Sequence, residues 1–469
     1  MSNLASPSEP SVWATIKEAL EGSHRGEFTD GPIGQAILLL AVPMVLELVL
    51  ESLFAVVDVF FVSRLGADAI AVVGLTESMI TIVYAVAVGL SVGAMATVAR
   101  RVGERDQDGA ARAGVQAIVL GVLTSAPIAI AGIVFGPSLL SLMGASPDVL
   151  QHASFTRIML GGNVVIVLLF LINAVFRGAG DAAVAMRVLW IASGINILLD
   201  PCFIFGLGPF PQLGVTGAAV ATTTGRGIGV LIQIFVLVRG KGRVAIRPHH
   251  IRFDPAVLMA MLRLSGSAVF QVLVGTSSWV GVVRIVATFG SVAVASCTIA
   301  IRVVIFALLP SWGLSNAAAT LVGQNLGAAK PERAETSVWR AAFFNMVFLA
   351  VVGALFVVFA PAIVSIFTDD PAVAPVAISG LRIISAGFPF YAYGYVLTQA
   401  FNGAGDTMTP TWINIGCLWC GEIPLAYILG RTLKMGPAGA FWAVAIAFSV
   451  MSLIAALLFR TGRWKTKRV

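Results

Sequence analysis

Long apolar stretches recur along almost the whole chain and are separated by short polar loops. A helix of about 20 apolar residues is long enough to cross a bilayer, and each stretch reaches this length. The pattern predicts twelve such segments, at 35–63, 68–98, 112–136, 150–176, 182–206, 214–238, 256–288, 291–322, 337–361, 373–401, 408–430 and 437–460. We therefore predict an all-α polytopic membrane protein with twelve transmembrane helices.

Composition supports this class of protein. The chain is 58% hydrophobic and 11% charged, with a mean hydropathy of +0.94, whereas soluble domains are about 25% charged. Residues 1–31 are polar and lack the basic segment and apolar core of a cleaved signal peptide. Trp13, Ile16 and Leu20 predict a short helix on the membrane surface in this segment.

Basic residues concentrate in the even-numbered loops and in the tail. They are Arg100, Arg101, Arg105, Arg112, Arg239, Lys241, Arg243, Arg247, Arg252, Lys330, Arg333, Arg463, Lys465, Lys467 and Arg468. The odd-numbered loops hold almost none beyond Arg64, Arg431 and Lys434. Because basic loops stay on the cytoplasmic side, both termini are predicted to be cytoplasmic, with the protein in the cell (inner) membrane. The net charge of +7 therefore reflects membrane topology and does not indicate a nucleic-acid partner.

The two halves of the chain repeat each other. The sequence Phe176–Asp181 (FRGAGD) is echoed by Phe401–Asp406 (FNGAGD), and Val102–Gly103 by Leu326–Gly327, with a shift close to 224 residues. Six helices in each half give the halves the same orientation, related by an axis along the membrane normal. The predicted units are a cytoplasmic segment 1–31, an N-lobe 32–238, a basic linker 239–254, a C-lobe 255–460 and a tail 461–469.

A polar cluster interrupts the fifth apolar segment. Asn196 and Asp200 are four residues apart and share one helical face, and Pro201 cannot donate a hydrogen bond to the carbonyl of Ile197. A carboxylate in a membrane costs about 2.5–3.5 kcal/mol on insertion scales. An amide oxygen, a carboxylate and a free carbonyl suit a proton or a hard cation such as Na⁺. A polar cluster that only joins helices is the alternative.

Two further polar residues are predicted at the same depth. Asp58 precedes the outer turn at Gly66 by about eight residues, and Thr222 lies about eight residues inward from the outer loop. At about 1.5 Å per residue, both fall within one helical turn of Asp200 in depth. Two close carboxylates repel each other when both are ionised, which favours a proton or Na⁺ between them.

Four motifs resemble those of the MATE (multidrug and toxic compound extrusion) family. They are Val57–Gly66 (VDVFFVSRLG), Asn196–Pro201, Gly217–Thr222 (GAAVAT) and the paired Gly-Ala-Gly-Asp loops. The resemblance implies two six-helix lobes of the MATE type that export organic cations in exchange for Na⁺ or H⁺. The acidic pair in the N-lobe resembles the DinF-type branch of that family.

The resemblance also implies a coupling-cation site in the N-lobe. Asp58, Asn196 and Asp200 match its side chains, and Ala218 and Thr222 match a backbone carbonyl and a hydroxyl contributor. Asp58, Asn196, Asp200 and Thr222 would be the Na⁺ ligands if the protein is coupled to sodium. Another branch carries an acidic residue on the seventh helix, where this chain offers only Thr276, Ser277 and Ser278.

Acidic residues outside this site leave alternatives open. Glu51 stands where the family often has glutamine, and Glu47 and Glu51 share a helical stripe with Asp58. Glu51 is a candidate proton relay, whereas Glu47 is expected to pair with a basic group such as Arg226 or Arg302.

The remaining candidates concern the cleft and helix bending. Glu422 either binds a cationic substrate or pairs with an arginine. Tyr391, Tyr393 and Tyr395 either line the cleft, where aromatic faces stack on cations, or pack against lipid and protein. Pro43 and Pro201 interrupt helical hydrogen bonding, so they either allow their helices to bend during transport or only kink them.

The sequence thus predicts a secondary-active antiporter that exports amphipathic, cationic compounds by alternating access. The alternative is a flippase for a lipid-linked sugar or peptidoglycan precursor, which would need cleft arginines or lysines for the diphosphate. An enzyme is disfavoured because His24, His152, His249 and His250 show no metal-ligand spacing, and Cys417 and Cys420 are expected to be a buried apolar pair. No nucleotide-binding GxxxxGK loop occurs. We expect a monomer in the lipid bilayer, with an organic cation as substrate and no cofactor beyond the coupling ion.

Overall fold

The computed structural model describes residues 11–22, 27–240 and 242–467, and these residues form helices joined by short loops. The N-lobe contains α1 (Ile33–Val62), α2 (Ala67–Gly103), α3 (Gln107–Leu142), α4 (Ala153–Ala179), α5 (Ala182–Phe205) and α6 (Val215–Arg239). The C-lobe contains α7 (Pro255–Ala287), α8 (Ser291–Gly327), α9 (Pro331–Ser365), α10 (Ala374–Ala386 and Phe388–Ala404), α11 (Met408–Thr432) and α12 (Pro437–Arg460). Among these described helices, 11 are long and apolar enough to cross a membrane, and α10 is divided at Gly387.

Some predictions fall on residues outside the described ranges. They concern residues 1–10 and 23–26 of the N-terminal segment, including His24, together with Lys241 of the linker and Arg468 of the tail. The predicted surface helix is present as Val12–Glu21, with Trp13 80% exposed and Ala19 buried.

Two predicted segments are interrupted at equivalent places. In α4 the break is at Gly162, where the buried side chain of Asn163 donates a hydrogen bond to the carbonyl of Leu160 and so competes with the helical ladder. In α10 the break is at Gly387, 225 residues later. Both segments are long and mainly apolar, so the sequence predicted continuous helices.

Helix α11 departs from α-helical geometry. Residues Ile415–Glu422 and Ile428–Thr432 are π-helical. Pro424 has no N–H to donate to the carbonyl of Cys420, and such a gap in the hydrogen-bond ladder favours the wider π-helical pattern. The middle of this helix therefore has more residues per turn than an α-helix.

The backbone repeats the sequence duplication. Positive φ angles recur at Gly66 and Gly290 (both 100°), at Gly180 and Gly405 (89° and 84°), and at Gly214 and Gly436 (58° and 62°). Positive φ is strained for residues with a side chain, so glycine is required at these turns. The predicted pair of pseudo-symmetric six-helix bundles is confirmed.

The lobes pack against each other through α1, α2, α7 and α8. A Cβ atom added to Gly103 would collide with the carbonyl oxygen of Gln324, and one added to Gly327 would collide with that of Arg100. The repeat exchanges these two contacts, since Arg100 corresponds to Gln324 and Gly103 to Gly327. The ends of α2 and α8 therefore meet about a pseudo-twofold axis.

Hydrogen bonds join the lobes at this same end of the molecule. Arg100 Nη2 donates to the carbonyls of Ala404 and Lys467, at 3.2 and 3.0 Å. Gln324 Nε2 donates to the carbonyl of Gly178 at 2.9 Å. Nearer the other end, Gly74 of α2 and Gly275 of α7 have no atom within 4 Å of a Cβ position. The lobes are thus closed together at the end that carries the basic loops.

Residues 27–31 cross this closed end, and we call them the strap. Glu27 pairs with Arg105 of the N-lobe at 2.8 Å, and Asp30 pairs with Lys330 of the C-lobe at 2.6 Å. Arg333 also donates to the backbone carbonyl of Asp30 at 2.9 Å. The strap therefore contacts both lobes.

The linker is attached to the start of α3. His250 Nδ1 accepts a hydrogen bond from the backbone N–H of Arg247 at 3.1 Å, so its Nε2 carries the proton and donates to Asp108 at 3.0 Å. The oxygen and nitrogen atoms of Asp108, His249 and His250 that could bind a metal lie within 4.8 Å of one another. The spacing of the histidines in the sequence did not predict this cluster. Both ring nitrogens of His250 already have partners, so this group serves to fix the linker.

Candidate cation site in the N-lobe

Asp200 lies in α5 and is fully buried. Its exposed fraction is 0%, and within the described residues neither carboxylate oxygen has a hydrogen-bond partner. A buried acceptor without a partner costs about 1–3 kcal/mol, and more when it is charged. A proton or a cation on this side chain would offset the cost.

Asn196 lies one turn before Asp200 and faces α6. Its Nδ2 donates a hydrogen bond to Thr222 Oγ1 at 3.0 Å, which fixes the amide orientation. Its Oδ1 is buried and has no partner within the described residues. The amide oxygen is thus left available beside the Asp200 carboxylate.

Close packing of α5 on α6 positions these groups. A Cβ atom at Gly217 would collide with the backbone of Phe203, and one at Gly225 would lie 3.0 Å from the Asn196 side chain. Ala218 is buried in the first turns of α6, one turn before Thr222. Its carbonyl belongs to a continuous helix and keeps a second lone pair.

Asp58 approaches the same region from α1. Its charge interacts with that of Asp200, and Arg226 and Glu77 also lie within electrostatic range of it. Its Oδ1 is buried without a partner in the described part of the chain. The structure therefore brings Asp58, Asn196 and Asp200 to one region with four unpartnered acceptor oxygens.

This set of atoms fits a hard cation. Carboxylate, amide and carbonyl oxygens are the ligands that hard cations prefer, and all the atoms available to coordinate a cation here are oxygens. Two carboxylates and one cation also leave less uncompensated charge than two carboxylates alone. A proton shared by the two aspartates would satisfy the same requirement.

Glu51 lies against a small cavity in the N-lobe. Arg226, Asn196, Ser193 and Phe54 line the same cavity, whose volume is about 20 Å³. Arg226 is four residues after Thr222, so it lies on the same face of α6, and its guanidinium is 5.7 Å from the ring of Tyr84. The sequence did carry a signal for this position. An arginine inside an apolar segment, four residues after Thr222, could have placed Arg226 beside the cation site.

Glu47 forms a separate buried network. Its Oε1 accepts hydrogen bonds from Arg177 Nη1 at 3.1 Å and Asn173 Nδ2 at 3.0 Å. Gln233 Nε2 donates to Asn173 Oδ1 at 2.6 Å. The expectation that Glu47 pairs with a basic group is confirmed, but its partner is Arg177, whereas Arg226 or Arg302 was expected. The sequence motif placed Arg177 near a loop, and the depth of its side chain was not predictable.

Glu422 is a buried carboxylate of the C-lobe. It is 3% exposed and lies in the π-helical part of α11. Ser278 Oγ donates to Glu422 Oε2 at 2.7 Å. Its described partner is thus a serine of α7, and no arginine of the described residues pairs with it.

The three candidate tyrosines of α10 face different surroundings. Tyr391 and Tyr395 lie 5.2 and 6.3 Å from the ring of Phe448, and Tyr395 is also near Trp312. Tyr393 faces Trp339 of α9 at 6.3 Å. The structure therefore groups Tyr391 with Tyr395 and separates both from Tyr393.

The structure also gives the positions of the candidate bending prolines and of the two cysteines of α11. Both candidate bending residues, Pro43 and Pro201, lie inside continuous helices. Cys417 is buried but Cys420 is exposed, so the predicted buried pair is wrong. The π-helical winding places residues three apart on different sides of the helix, which α-helical spacing would not.

The same duplication appears in a comparison with known families. The model of the MatE family matches this chain twice, at residues 43–202 and at 267–428. The chain belongs to the MatE family. It is therefore a multi-pass membrane transporter, as the sequence motifs had predicted.

Individual MatE proteins align with nearly the whole chain. A protein of Thermotoga maritima named "Probable multidrug resistance protein NorM" is 26% identical over 443 residues, covering 93% of this chain and 94% of the relative. A "FAD transporter" of Shewanella oneidensis is 26% identical over 413 residues, covering 85% and 88%. A structure titled as the outward-facing conformation of a multidrug resistance MATE family transporter is 28% identical, with a TM-score of 0.86 and coverage of 92% and 96%.

Proposed function

We propose that this MatE protein is a secondary-active antiporter that exports amphipathic, cationic compounds in exchange for Na⁺ or H⁺. The observation that supports coupling is the group of unpartnered oxygens on Asp58, Asn196 and Asp200. Multidrug export is supported by the names of several relatives, which do not favour a flippase for a lipid-linked precursor. Assignment to the DinF-type branch and a monomeric state remain predictions.

The coupling ion would bind between α1, α5 and α6. Asp58 and Asp200 would supply negative charge, Asn196 and Thr222 neutral oxygens, and Ala218 a backbone carbonyl. Na⁺ would neutralise the two carboxylates, and H⁺ would do so by protonating them. In either case, binding removes the cost of the unpartnered acceptors and draws the three helices together.

Alternating access requires the closed end to open. With basic loops on the cytoplasmic side, the contacts of Arg100, Gln324 and the strap close the cytoplasmic end, and this conformation faces outward. Ion binding at Asp58 and Asp200 would change the position of α1, which packs on both α5 and α8. Helix α1 is thus the element that connects the ion site to the partner lobe. Pro43 and Pro201 would serve as bending points in α1 and α5, and Glu51 would carry protons from Asp58 towards the cleft.

The substrate would bind between the lobes. A carboxylate at Glu422 favours cationic substrates, and the half-buried ring of Tyr395 would contribute aromatic surface. Tyr391 is only 2% exposed and packs in the core of the C-lobe. Because one relative is named as a transporter of FAD, which is anionic, substrate charge is the property that most needs measurement.

The test is transport in proteoliposomes with Na⁺ and pH gradients imposed separately. We expect uptake of an organic cation to be driven by one of the two gradients, and Asp200→Asn to lose that dependence. Asp369→Asn, an exposed loop carboxylate, is the matched control. Equal transport with no gradient of either ion would contradict antiport, and faster transport of FAD than of an organic cation would contradict the substrate class.

A further inference from the structure

A long groove runs between α11 and α12 on the outside of the C-lobe. It encloses about 590 Å³, within the range of about 300–1,000 Å³ that is usual for ligand pockets. On α12 it is lined by residues four apart, Ile446, Val450, Ile454 and Leu458. Such a spacing keeps one face of α12 towards the groove over its cytoplasmic half.

The groove exists because α11 carries little side-chain volume on the facing surface. Gly416 and Gly421 line it, within the π-helical stretch that Pro424 imposes. A Cβ atom at Gly416 would meet no atom within 4 Å, and one at Gly421 would meet only the carbonyl of Gly416 at 3.4 Å. The space beside these glycines is therefore open.

The groove faces lipid. The N-lobe packs mainly on α7 and α8 of the C-lobe, whereas the groove lies between α11 and α12. At its margins Trp412 and Val450 are 64% and 43% exposed. Within a bilayer, an apolar groove of this kind is filled by hydrocarbon, because water there would lack hydrogen-bond partners.

The cytoplasmic end of the groove is polar and positively charged. Arg463 lines it, and no carboxylate of the described residues lies within 4.0 Å of this guanidinium. Asp406 lines it too, but its charge is compensated by Lys467 Nζ at 3.4 Å, and Thr409 donates to it at 2.8 Å. Arg463 follows the end of α12 by three residues, so it lies at the depth of lipid headgroups.

The groove is long enough to hold an acyl chain of one leaflet. From Ile446 to Thr461 the helical rise of about 1.5 Å per residue gives about 22 Å, compared with about 15 Å for one leaflet, which is half of the hydrocarbon core of about 30 Å. An acyl chain that starts at Arg463 would thus remain in the groove to its end. A guanidinium is also well suited to bind a phosphate through two hydrogen bonds.

We propose that this groove binds one anionic phospholipid of the cytoplasmic leaflet, with its phosphate on Arg463 and one acyl chain between α11 and α12. The site is separate from the proposed ion and substrate sites and does not depend on them. Basic residues at the cytoplasmic ends of helices are a general means of recognising anionic lipids.

Native mass spectrometry of the full-length protein, titrated with phosphatidylglycerol or phosphatidylcholine of the same acyl chains, tests the proposal. We expect one phosphatidylglycerol to bind about fivefold more tightly than phosphatidylcholine, the effect of one arginine near an anionic headgroup. Arg463→Ala should remove this difference, because binding of phosphatidylglycerol should weaken more than binding of phosphatidylcholine, in which the choline already compensates the charge of the phosphate. Arg239→Ala, at the cytoplasmic end of α6, is the control and should retain the difference.

Filling the groove tests where the acyl chain lies. Gly416→Leu should weaken binding of both lipids by about tenfold, because its side chain occupies the open space, and leucine raises helix propensity. Gly421→Leu is the second variant if the first does not fold. Gly194→Leu, at a glycine of α5 with nothing within 4 Å, is the matched control and should bind lipid as wild type does.

Three results of the lipid titrations would overturn the proposal. They are equal binding of the two lipids by wild type, unchanged binding in both Gly416→Leu and Gly421→Leu, and an equal loss of both lipids in Arg463→Ala. Displacement of the lipid by an organic cation would identify the groove as a substrate site and would also overturn it.

Discussion

The two lobes share one backbone but differ in what they bury. Both have the same turns at the same glycines, and both match the same family model. In the N-lobe Asp58, Asp200 and Arg226 carry charge into the bundle, whereas Val282 and Ile423 occupy the positions equivalent to the two aspartates. Duplication therefore preserved the packing while only one copy kept the ionisable cluster.

The polar network changes to aromatic and neutral groups across the repeat. Counting from the equivalent turns Gly214 and Gly436, Arg226 corresponds to Phe448, whose ring packs against Tyr391 and Tyr395. Arg177, the partner of Glu47, corresponds to Asn402. Under the proposed antiport, the N-lobe would respond to the coupling ion and the C-lobe would mainly provide surface for the substrate.

The largest effect is expected from Asp200→Asn. This change removes the charge that would hold the coupling ion while keeping size and hydrogen-bonding capacity, so export should fall at least about tenfold. Efflux of a fluorescent organic cation is measured in cells with matched membrane abundance, and Asp369→Asn serves as the control. Wild-type efflux in Asp200→Asn would reduce the residue to a polar contact between helices.

A double-mutant cycle tests whether the N-lobe holds one shared site. Asp58→Asn and Asp200→Asn should each remove most of the dependence on Na⁺ or pH, and the double change should add little, because the two carboxylates would bind the same ion. The readout is gradient-driven transport in proteoliposomes. Losses that add independently in free energy would mean two separate sites.

Much of this comparison was predictable from the sequence, because each signal was local or periodic. Apolar length predicted the twelve segments, the shift of 224 residues predicted the paired lobes, and the four-residue step between Asn196 and Asp200 predicted a shared helical face. The family motifs added Asp58, Ala218 and Thr222. The structure places Asp58 within electrostatic range of Asp200 and joins Asn196 to Thr222 by a hydrogen bond.

Other features depended on contacts that sequence periodicity does not encode. The breaks at Gly162 and Gly387 lie inside segments whose overall apolar length predicted continuous helices, although Asn163 and Pro389 beside them are local breaker signals. The pairing of Glu47 with Arg177 depends on how far a long side chain reaches from the end of α4. Exposure of Cys420 follows from π-helical winding, which an α-helical period cannot represent.

A smaller effect is expected from Glu422→Gln in the C-lobe. The apparent affinity for a cationic substrate should fall about fivefold, with a neutral substrate little changed, because only the charge is removed. Dependence on Na⁺ or pH should remain, since the ion would bind in the other lobe. Ser278→Ala, which removes the hydrogen-bond donor but keeps the charge, is the control for local packing. Lost ion coupling with unchanged substrate preference would move the ion site to the C-lobe.

The smallest effects are expected from substitutions in the strap. Its two exposed ion pairs, one to each lobe, allow the two lobes to be compared. A hydrogen bond from Arg105 holds the pKa of Glu27 below its ordinary value, and one from Lys330 does the same for Asp30. Both carboxylates therefore stay ionised at neutral pH. Their stabilisation is present above the ordinary values of about 4 and is lost as the pH falls through the lowered ones.

Exposed ion pairs contribute little and are screened by salt. Glu27→Gln and Asp30→Asn should each lower the thermal unfolding midpoint of the purified protein by less than about 2 °C at low salt, and high salt should remove the difference. Because Glu27 contacts the N-lobe and Asp30 the C-lobe, the two changes should be similar in size and additive. The contrary result is that one variant lowers the unfolding midpoint by much more than the other, with no effect of salt. That result would mean that the closed end depends mainly on the strap's contact with one lobe.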